Sequence, residues 1–470
     1  MRKANNAADI LDAIYQEAGV GVHVLAPEVE TLFGAVMGSR SSFGALQRGG
    51  LFLDLGGGSV QMTWVDTNTE GYEVEAALAG VSMPFGAARL TRVLEGTDAD
   101  LRAAEKGKLR ASMSAAFAQL CERFPALADE VSRGESRDSG VDVYFCGGGF
   151  RGYGSMLMHN DPIQPYPIPS VGTYTVPGEL FRKTGIMRRV NEEYNGKIFG
   201  MSKRRRRQFP AVLEVIEAFI EVAPTIRTAT FCTGSNREGM LLMKLPPTLR
   251  ESDPLPALAS ADIRSQDMPA VEAALDVLQE AVPEQPKKRG VPTIFSLRLG
   301  PLFFPMIWDR MGEDVASNAA FALHAAVTRD PSAPGLTHLA RAVLGVTAAA
   351  RWGSSLAALD AELHSRLRDL LYRTHSEACF WAEYIGTIAG VMATFIATRP
   401  RTADDVKKIV RAEATVDASG KKDKILLKIL VDPTSLKGVD LGDIEETVKN
   451  IGKQKGKKKD VKVKAEISPL

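Results

Sequence analysis

Cysteine is scarce in this chain: four in 470 residues, Cys121, Cys146, Cys232 and Cys379, with no CxxC spacing and no Cys/His cluster. A disulfide frame and a zinc site are excluded, and a reducing compartment is implied, so a cytoplasmic protein is expected. Charge of one sign is lacking as well. Lys+Arg 58 against Asp+Glu 57 leaves a net charge of +1, which gives no electrostatic argument for a nucleic-acid or membrane partner. No apolar run reaches the roughly 20 residues of a membrane span. The longest uncharged stretch, Tyr384 to Thr398, has 15 residues between Glu383 and Arg399 and reads as a buried helix. The six histidines are isolated and no His-Asp dipeptide occurs. GxxxxGK[ST], HExxH and GxSxG are missing too, which removes P-loop, zincin and nucleophile-elbow chemistry.

What is present describes a folded protein of several domains, 45% hydrophobic and 24% charged. Its near-neutral balance hides an asymmetry: residues 401–470 carry +5 and residues 1–400 carry −4. Residues 7–18 have helical spacing, GVGVHVL alternates like a strand, and PEVETLFGAVMG reads as a short helix. GGLFLDLGGGSVQMTWV reads as two strands about a glycine loop, and VDVYFCGGGFRG as a strand ending in a second glycine loop. The proline-rich stretch 162–177 reads as a surface loop. FPAVLEVIEAFIEVA, TATFCTGS and NREGMLLMKL then predict helix, strand and helix. This order makes 47–245 an α/β domain. Residues 246–292 read as a Pro-rich linker and 293–400 as a helical domain, and 401–470 form a small basic α/β appendage.

The chemistry concentrates in LFLDLGGGSVQ. Glycines after a strand let backbone amides approach an anion, so Gly56, Gly57, Gly58 and Ser59 are candidate phosphate contacts; a plain hairpin turn is the alternative. Asp54 at the strand end can hold Mg²⁺ or orient a water. Gly147, Gly148, Gly149 and Arg151 suggest a second phosphate-facing loop. Arg237, in CTGSNREG, sits at a helix start suited to anions, or else in a surface ion pair with Glu238.

RKANNAADILDAI, VLAPEVETLFGAVMG, DLGGGSVQ, SMPFGAARLT, FCGGGFRG and FPAVLEVIEAF with FCTGSNREGMLL follow one another in the order of the Ppx/GppA family of exopolyphosphatases and guanosine pentaphosphate phosphohydrolases. SRSSF, GGGFRGYG and SKRRRRQFPAV resemble its fungal retrograde-regulation branch in particular. The resemblance covers 1–245 well and the tail only in general layout. It implies ribonuclease-H-like lobes of the actin kind, with polyphosphate or a nucleotide phosphate gripped between them. Aligned on Gly34-Ala35, the family's catalytic glutamate falls on Glu30; a one-residue slip would put Val29 there. Glu30 would activate the attacking water.

Three departures accompany the likeness. The family's arginine falls on Leu32, and the glutamate closing its second phosphate loop is Gln61, expected still to contact phosphate or water. The chain also begins inside a later motif, at Met1-Arg2-Lys3-Ala4-Asn5, so 1–46 is expected to be a remnant of the first lobe. Two functions follow: a regulator binding ATP, polyphosphate or guanosine polyphosphate beside signalling proteins of a retrograde pathway, or a Mg²⁺-assisted hydrolase. A homodimer is left open. The run Lys203 to Arg207 reads as a solvated helix start, a phosphate-chain contact or a nuclear-targeting signal. Lys453, Lys455, Lys457, Lys458 and Lys459 read as a soluble loop. Neither run is interleaved with aromatics, so single-stranded nucleic acid is not an expected partner.

Overall fold

The apolar runs around the first glycine loop become central strands because both faces of their sheet are covered. β1 (Gly50–Leu55) and β2 (Val60–Val65) are buried along almost their whole length, which near-continuous apolar strands require. With β3 (Val81–Met83), β4 (Val141–Cys146), β5 (Tyr174–Pro177) and β6 (Ile226–Phe231) they form a six-stranded sheet of order β3-β2-β1-β4-β6-β5. β1–β2, β2–β3 and β5–β6 are antiparallel, while β1–β4 and β4–β6 are parallel. The computed structural model describes residues 6–44, 46–96, 98–133, 140–223, 225–330, 333–417, 419, 423–452 and 461–470. Its chain divides into two compact units, Met1–Leu157 with Val171–Glu251, and Met158–Ser170 with Ser252–Leu470.

In the first unit, α1 (Ala7–Ala18) has no buried residue. GVGVHVL forms no strand: Gly19 caps α1 in the left-handed conformation, donating to Tyr15 O at 2.8 Å, and Val20, Val22 and Val24 are exposed, because alternation supplies a face and not a neighbour. α2 (Pro27–Thr31) runs into a π-helical turn, Leu32–Met37, whose Ala35, Val36 and Met37 are fully buried. α3 (Ala87–Leu94) follows β3, and α4 (Gly147–His159) begins directly at the end of β4. The three glycines after Cys146 are therefore a first helical turn and not the loop expected from them. α5 (Lys203–Val222) and α6 (Asn236–Met243) flank β6. On the covered face, Phe145 meets Phe150 and Phe181 at ring distances of 4.8 Å.

The cation run lies inside the first turns of α5, and three of its members are engaged. Arg205 donates to Gly200 O at 2.6 Å, Arg206 to carbonyls at the end of the preceding helix Thr184–Glu193 and in the loop after it, and Arg207 pairs with Glu95 at 2.7 Å. The lysine-rich run with Lys453, Lys455, Lys457, Lys458 and Lys459, and the start Met1 to Asn5, lie outside the described residues.

The second unit contains α7 (Met268–Glu280), α8 (Gly300–Trp308), α9 (Val315–Thr328), α10 (His338–Arg351), α11 (Ala358–Thr374) and α12 (Ala378–Phe395). Every residue of α10 except Leu339 is buried. α12 is long and apolar enough to cross a membrane, yet 72% of it is buried within the unit. After it come β7 (Val410–Asp417), β8 (Lys424–Val431), α13 (Leu441–Asn450) and β9 (Lys462–Pro469). β7–β8 is antiparallel and β8–β9 parallel, joined through α13.

Two sequence expectations change here. Leu255, Ala259, Val271 and Ala274 share one apolar core with Phe303, Ala342 and Ile385, so the stretch from 252 is packed structure and not a linker. Alternate residues of the terminal sheet, such as Val410, Ile425, Leu427 and Val463, join that same core. The proline-rich segment is likewise no surface loop: Ile163 and Ile168 are buried in the second unit, and Tyr174 opens β5 in the first.

Candidate functional site

The first unit carries a cleft of about 880 Å³ at the tip of the β1–β2 hairpin, lined by Gly56 to Ser59, Glu30, Arg89, Asn236 and the segment Val22 to Leu25. The hairpin tip explains its own exposure. Gly56 N donates to Ser59 O at 3.0 Å and closes the turn. The carbonyls then face the start of α3: Gly56 O accepts from Ala87 at 3.0 Å, and Gly57 O from Ala88 at 3.0 Å and Arg89 at 3.1 Å. No side chain caps α3, so these carbonyls are its cap. The amides of Gly57, Gly58 and Ser59 donate no hydrogen bond within the described residues, and all three glycines are exposed.

The fold does not demand these glycines. None of Gly56, Gly57 or Gly58 has a positive φ. A Cβ at Gly57 would meet nothing nearer than Ala88 Cβ at 3.8 Å, and one at Gly58 would meet open space. Gly86 differs, since a Cβ there would collide with the backbone nitrogens of Gly58 and Ser59. What the tip gains from lacking side chains is bare, outward amides, a nest for an anion.

Beside the tip stand two carboxylates. Asp54 pairs across the hairpin with Gln61. Burial, then the charge of Glu30, raises its pKa to about 6, while Arg151 acts in the opposite direction. Glycines make room for this carboxylate: a Cβ on Gly34 would lie 2.6 Å from Asp54 Oδ2, and one on Gly147 would strike Oδ1. Glu30, not Val29, faces the cleft. Gln61 Nε2 donates to Glu30 Oε2 at 3.2 Å, and Thr31 Oγ1 donates to Gln61 Oε1 at 3.0 Å.

The expected residues thus fall into two sets. Glu30, Gly56, Gly57, Gly58 and Ser59 line the cleft, whereas Asp54 does not line it and is buried within reach of the Glu30 charge. Gln61 is only 2% exposed and holds Glu30, so it positions a carboxylate where a phosphate contact was expected. A glutamate there would put two carboxylates at that same contact, which makes the amide at 61 intelligible. Arg151 donates to Gly234 O at 3.0 Å and steadies the β6–α6 turn. Arg237 is exposed and does not line the cleft; its neighbour Asn236 does.

Residues 147–152 read Gly-x-Gly-x-x-Gly at a strand-to-helix junction, a pattern of dinucleotide loops. Gly147, at φ +86°, and Gly149 are pressed against Asp54 and Leu55, so they serve the contact between α4 and β1. Sequence reasoning passed over Arg89 and Asn236, although both lie in quoted motifs, because α3 and α6 bring them in from afar.

A family described as "Ppx/GppA phosphatase family" matches residues 1–248, and one described as "RTG2 C-terminal domain" matches residues 253–468. The chain is 30% identical over 404 residues to Retrograde regulation protein 2 of Saccharomyces cerevisiae, covering 83% of this chain and 65% of that protein. It therefore spans about 65% of that relative's length. Similar solved structures include a Ppx/GppA phosphatase of Aquifex aeolicus, with TM-score 0.36, 18% identity, and 52% of this chain and 72% of that chain covered. An exopolyphosphatase from Cytophaga hutchinsonii gives TM-score 0.36 and 20% identity over 51% of this chain and 70% of that chain.

Proposed function

The chain belongs to the Ppx/GppA phosphatase family, and from that premise we propose that it is a cytoplasmic regulatory protein that binds a phosphoanhydride, ATP, polyphosphate or a guanosine polyphosphate, and works with signalling proteins of a retrograde pathway. One observation carries the reading: glycines that the fold does not require hold free amides toward a cleft. Glycine costs about 0.5–1 kcal/mol of conformational freedom, so its use here points to a ligand that needs close backbone approach. The strand order, three antiparallel strands followed by parallel β4 and β6, supports a ribonuclease-H-like lobe of the actin kind. The relation to Retrograde regulation protein 2 supports the signalling role.

In this reading, phosphate oxygens accept hydrogen bonds from Gly57, Gly58 and Ser59, while Arg89 at the rim is paired with Glu105 at 2.6 Å and adds little net charge of its own. Asp54 and Glu30 fit a divalent cation. A buried carboxylate whose charge is opposed by a second one is a donor pair that Mg²⁺ uses when ligand phosphates complete its shell. Such a cation would supply neutralisation of phosphate charge.

Calorimetry with ATP and with polyphosphate, each with and without Mg²⁺, tests the binding. Saturable heat is expected from the native protein, and binding at least about tenfold weaker from Gly57→Val, since a side chain would cover the amides. Silence from the native protein with both ligands ends the reading.

A second reading, hydrolysis of the same ligands, is favoured by the Gln61–Glu30 contact, which orients a carboxylate toward the cleft. Glu30 would then take a proton from the attacking water. Phosphate release that falls roughly 10²–10⁴-fold in Glu30→Gln would establish it; release unchanged by that substitution would remove Glu30 from the mechanism.

A further inference from the structure

The second unit has a cleft of its own, about 920 Å³, lined by the ends of α10 and α12, by α11 and by α13. Its most unusual occupant is Arg351, which is only 8% exposed. Arg351 Nε donates to Ile307 O at 2.7 Å, Nη2 lies 3.1 Å from Met311 Sδ, and the guanidinium sits 4.0 Å from the Trp352 ring centre. These contacts orient a cation without neutralising it. Among the described residues no carboxylate pairs with Arg351, and burial alone depresses its pKa to about 10, so it remains charged at neutral pH. A buried charge without a partner is costly until an anion joins it.

A second feature in the same cleft is independent of the first. His364 is 7% exposed, and its Nε2 has no hydrogen-bond partner. Burial, then Arg368, hold its pKa down to about 4, so the ring is neutral under ordinary conditions. Buried polar nitrogens are nearly always satisfied, and this one belongs to a residue that lines the cleft but is itself covered, so a ligand atom reaches it once the ring turns toward the opening. Arg368 itself is occupied by Glu383 at 3.2 Å and contributes little net charge.

We infer that this cleft binds a small organic monocarboxylate, with its carboxylate on Arg351 and a hydroxyl or amine on His364. The charge count selects the class. One unneutralised guanidinium matches one negative charge, whereas Asp443 on the same lining opposes a phosphate dianion. Trp352, Val391 and Ile444 supply apolar wall for a short aliphatic or aromatic body. The site is separate from the hairpin cleft and requires nothing of it.

The test uses the full chain with lactate, butyrate and benzoate as carboxylate probes, and inorganic phosphate as the contrast, read by calorimetry and thermal unfolding. At least one carboxylate is expected to give saturable heat and raise the unfolding temperature. Arg351→Lys keeps a charge but loses the forked donors, and is expected to weaken binding at least about tenfold. Because Arg351 is buried, Thr394→Trp provides a second arm: Thr394 is exposed on the cleft wall, so an indole there fills the space without entering the core. It should abolish binding at an unchanged unfolding temperature. No saturable heat from any carboxylate at millimolar concentration, tighter binding of phosphate than of carboxylates, or native-like binding by Thr394→Trp would each overturn the assignment.

Discussion

Gly58 and Gly86 touch across the hairpin tip and do different work. At Gly86 a Cβ would drive into two backbone nitrogens, whereas at Gly58 it would enter solvent. Gly86→Ala is therefore expected to destabilise the first unit by about 1–3 kcal/mol. Gly58→Ala should be neutral or stabilising by about 0.4–1 kcal/mol, since it restricts the unfolded chain at an unstrained position. Urea unfolding of the two variants measures the contrast, and a loss of ligand binding by Gly58→Ala without loss of stability separates function from fold. His364 sets a pH dependence in the second unit. Unfolded, it takes a proton near pH 6.5, but folded only near pH 4, so the unfolded state binds more protons between those values. Its contribution is complete above pH 6.5 and is lost as pH falls, by about 2 kcal/mol between pH 7 and 5. The charged neighbours are Arg368, on the same helix, and Glu383, from α12, which pair with each other. His364→Phe should remove that part of the slope in urea titrations. The local residues of the hairpin cleft were legible in the sequence: Asp54 and Gly56 to Ser59 are contiguous, and Glu30 followed from the resemblance. Asn236, Arg89, and the site of Arg351 and His364 were not, because distant segments assemble them and neither motif nor spacing records that.

The π-helical turn Leu32–Met37 and α6 are an element pair built on missing side chains. A Cβ on Gly239 would strike Phe33 O and lie 2.8 Å from Gly38 N, and one on Gly38 would lie 2.7 Å from Ser235 O. Backbone therefore lies directly on backbone, which brings Asn236 over Gly34 and so to the cleft. Gly239→Ala has no flexible side chain to displace and is expected to cost about 2–3 kcal/mol or more, with the same change at exposed Gly185 as a neutral reference. Chemical denaturation of the two variants gives the comparison. Strong strands and long helices were readable as elements because their periodicity is internal. GVGVHVL failed because a strand also needs a neighbour offering backbone hydrogen bonds. VRAEATVD was missed for the opposite reason: its pattern is half polar, yet β8 supplies the partner that makes it β7. The glycines after Cys146 became helix because their amides could start α4 once Asp54 and Leu55 were packed against them.

At the scale of the molecule, composition suggested a string of segments, and the chain is instead two units with a piece exchanged. Residues Met158–Ser170 interrupt the first unit in sequence and belong to the second in space. Within the second unit, the Asp161 side chain is fully buried and accepts two hydrogen bonds from Arg373 Nη1, at 2.9 and 2.8 Å. Removing the arginine leaves a buried carboxylate without its charge partner, so Arg373→Met should destabilise the second unit by about 3–5 kcal/mol. Thermal unfolding, with Arg366→Met as an exposed ion-pair control, tests this. The exchanged piece has a consequence for synthesis. Ile163, Ile168 and Asp161 emerge from the ribosome well before Leu255 and the helices that will enclose them, while the rest of the first unit is still being made. The nascent chain thus carries a short apolar segment in waiting, unable to join its own half-built neighbour and too early for its partners.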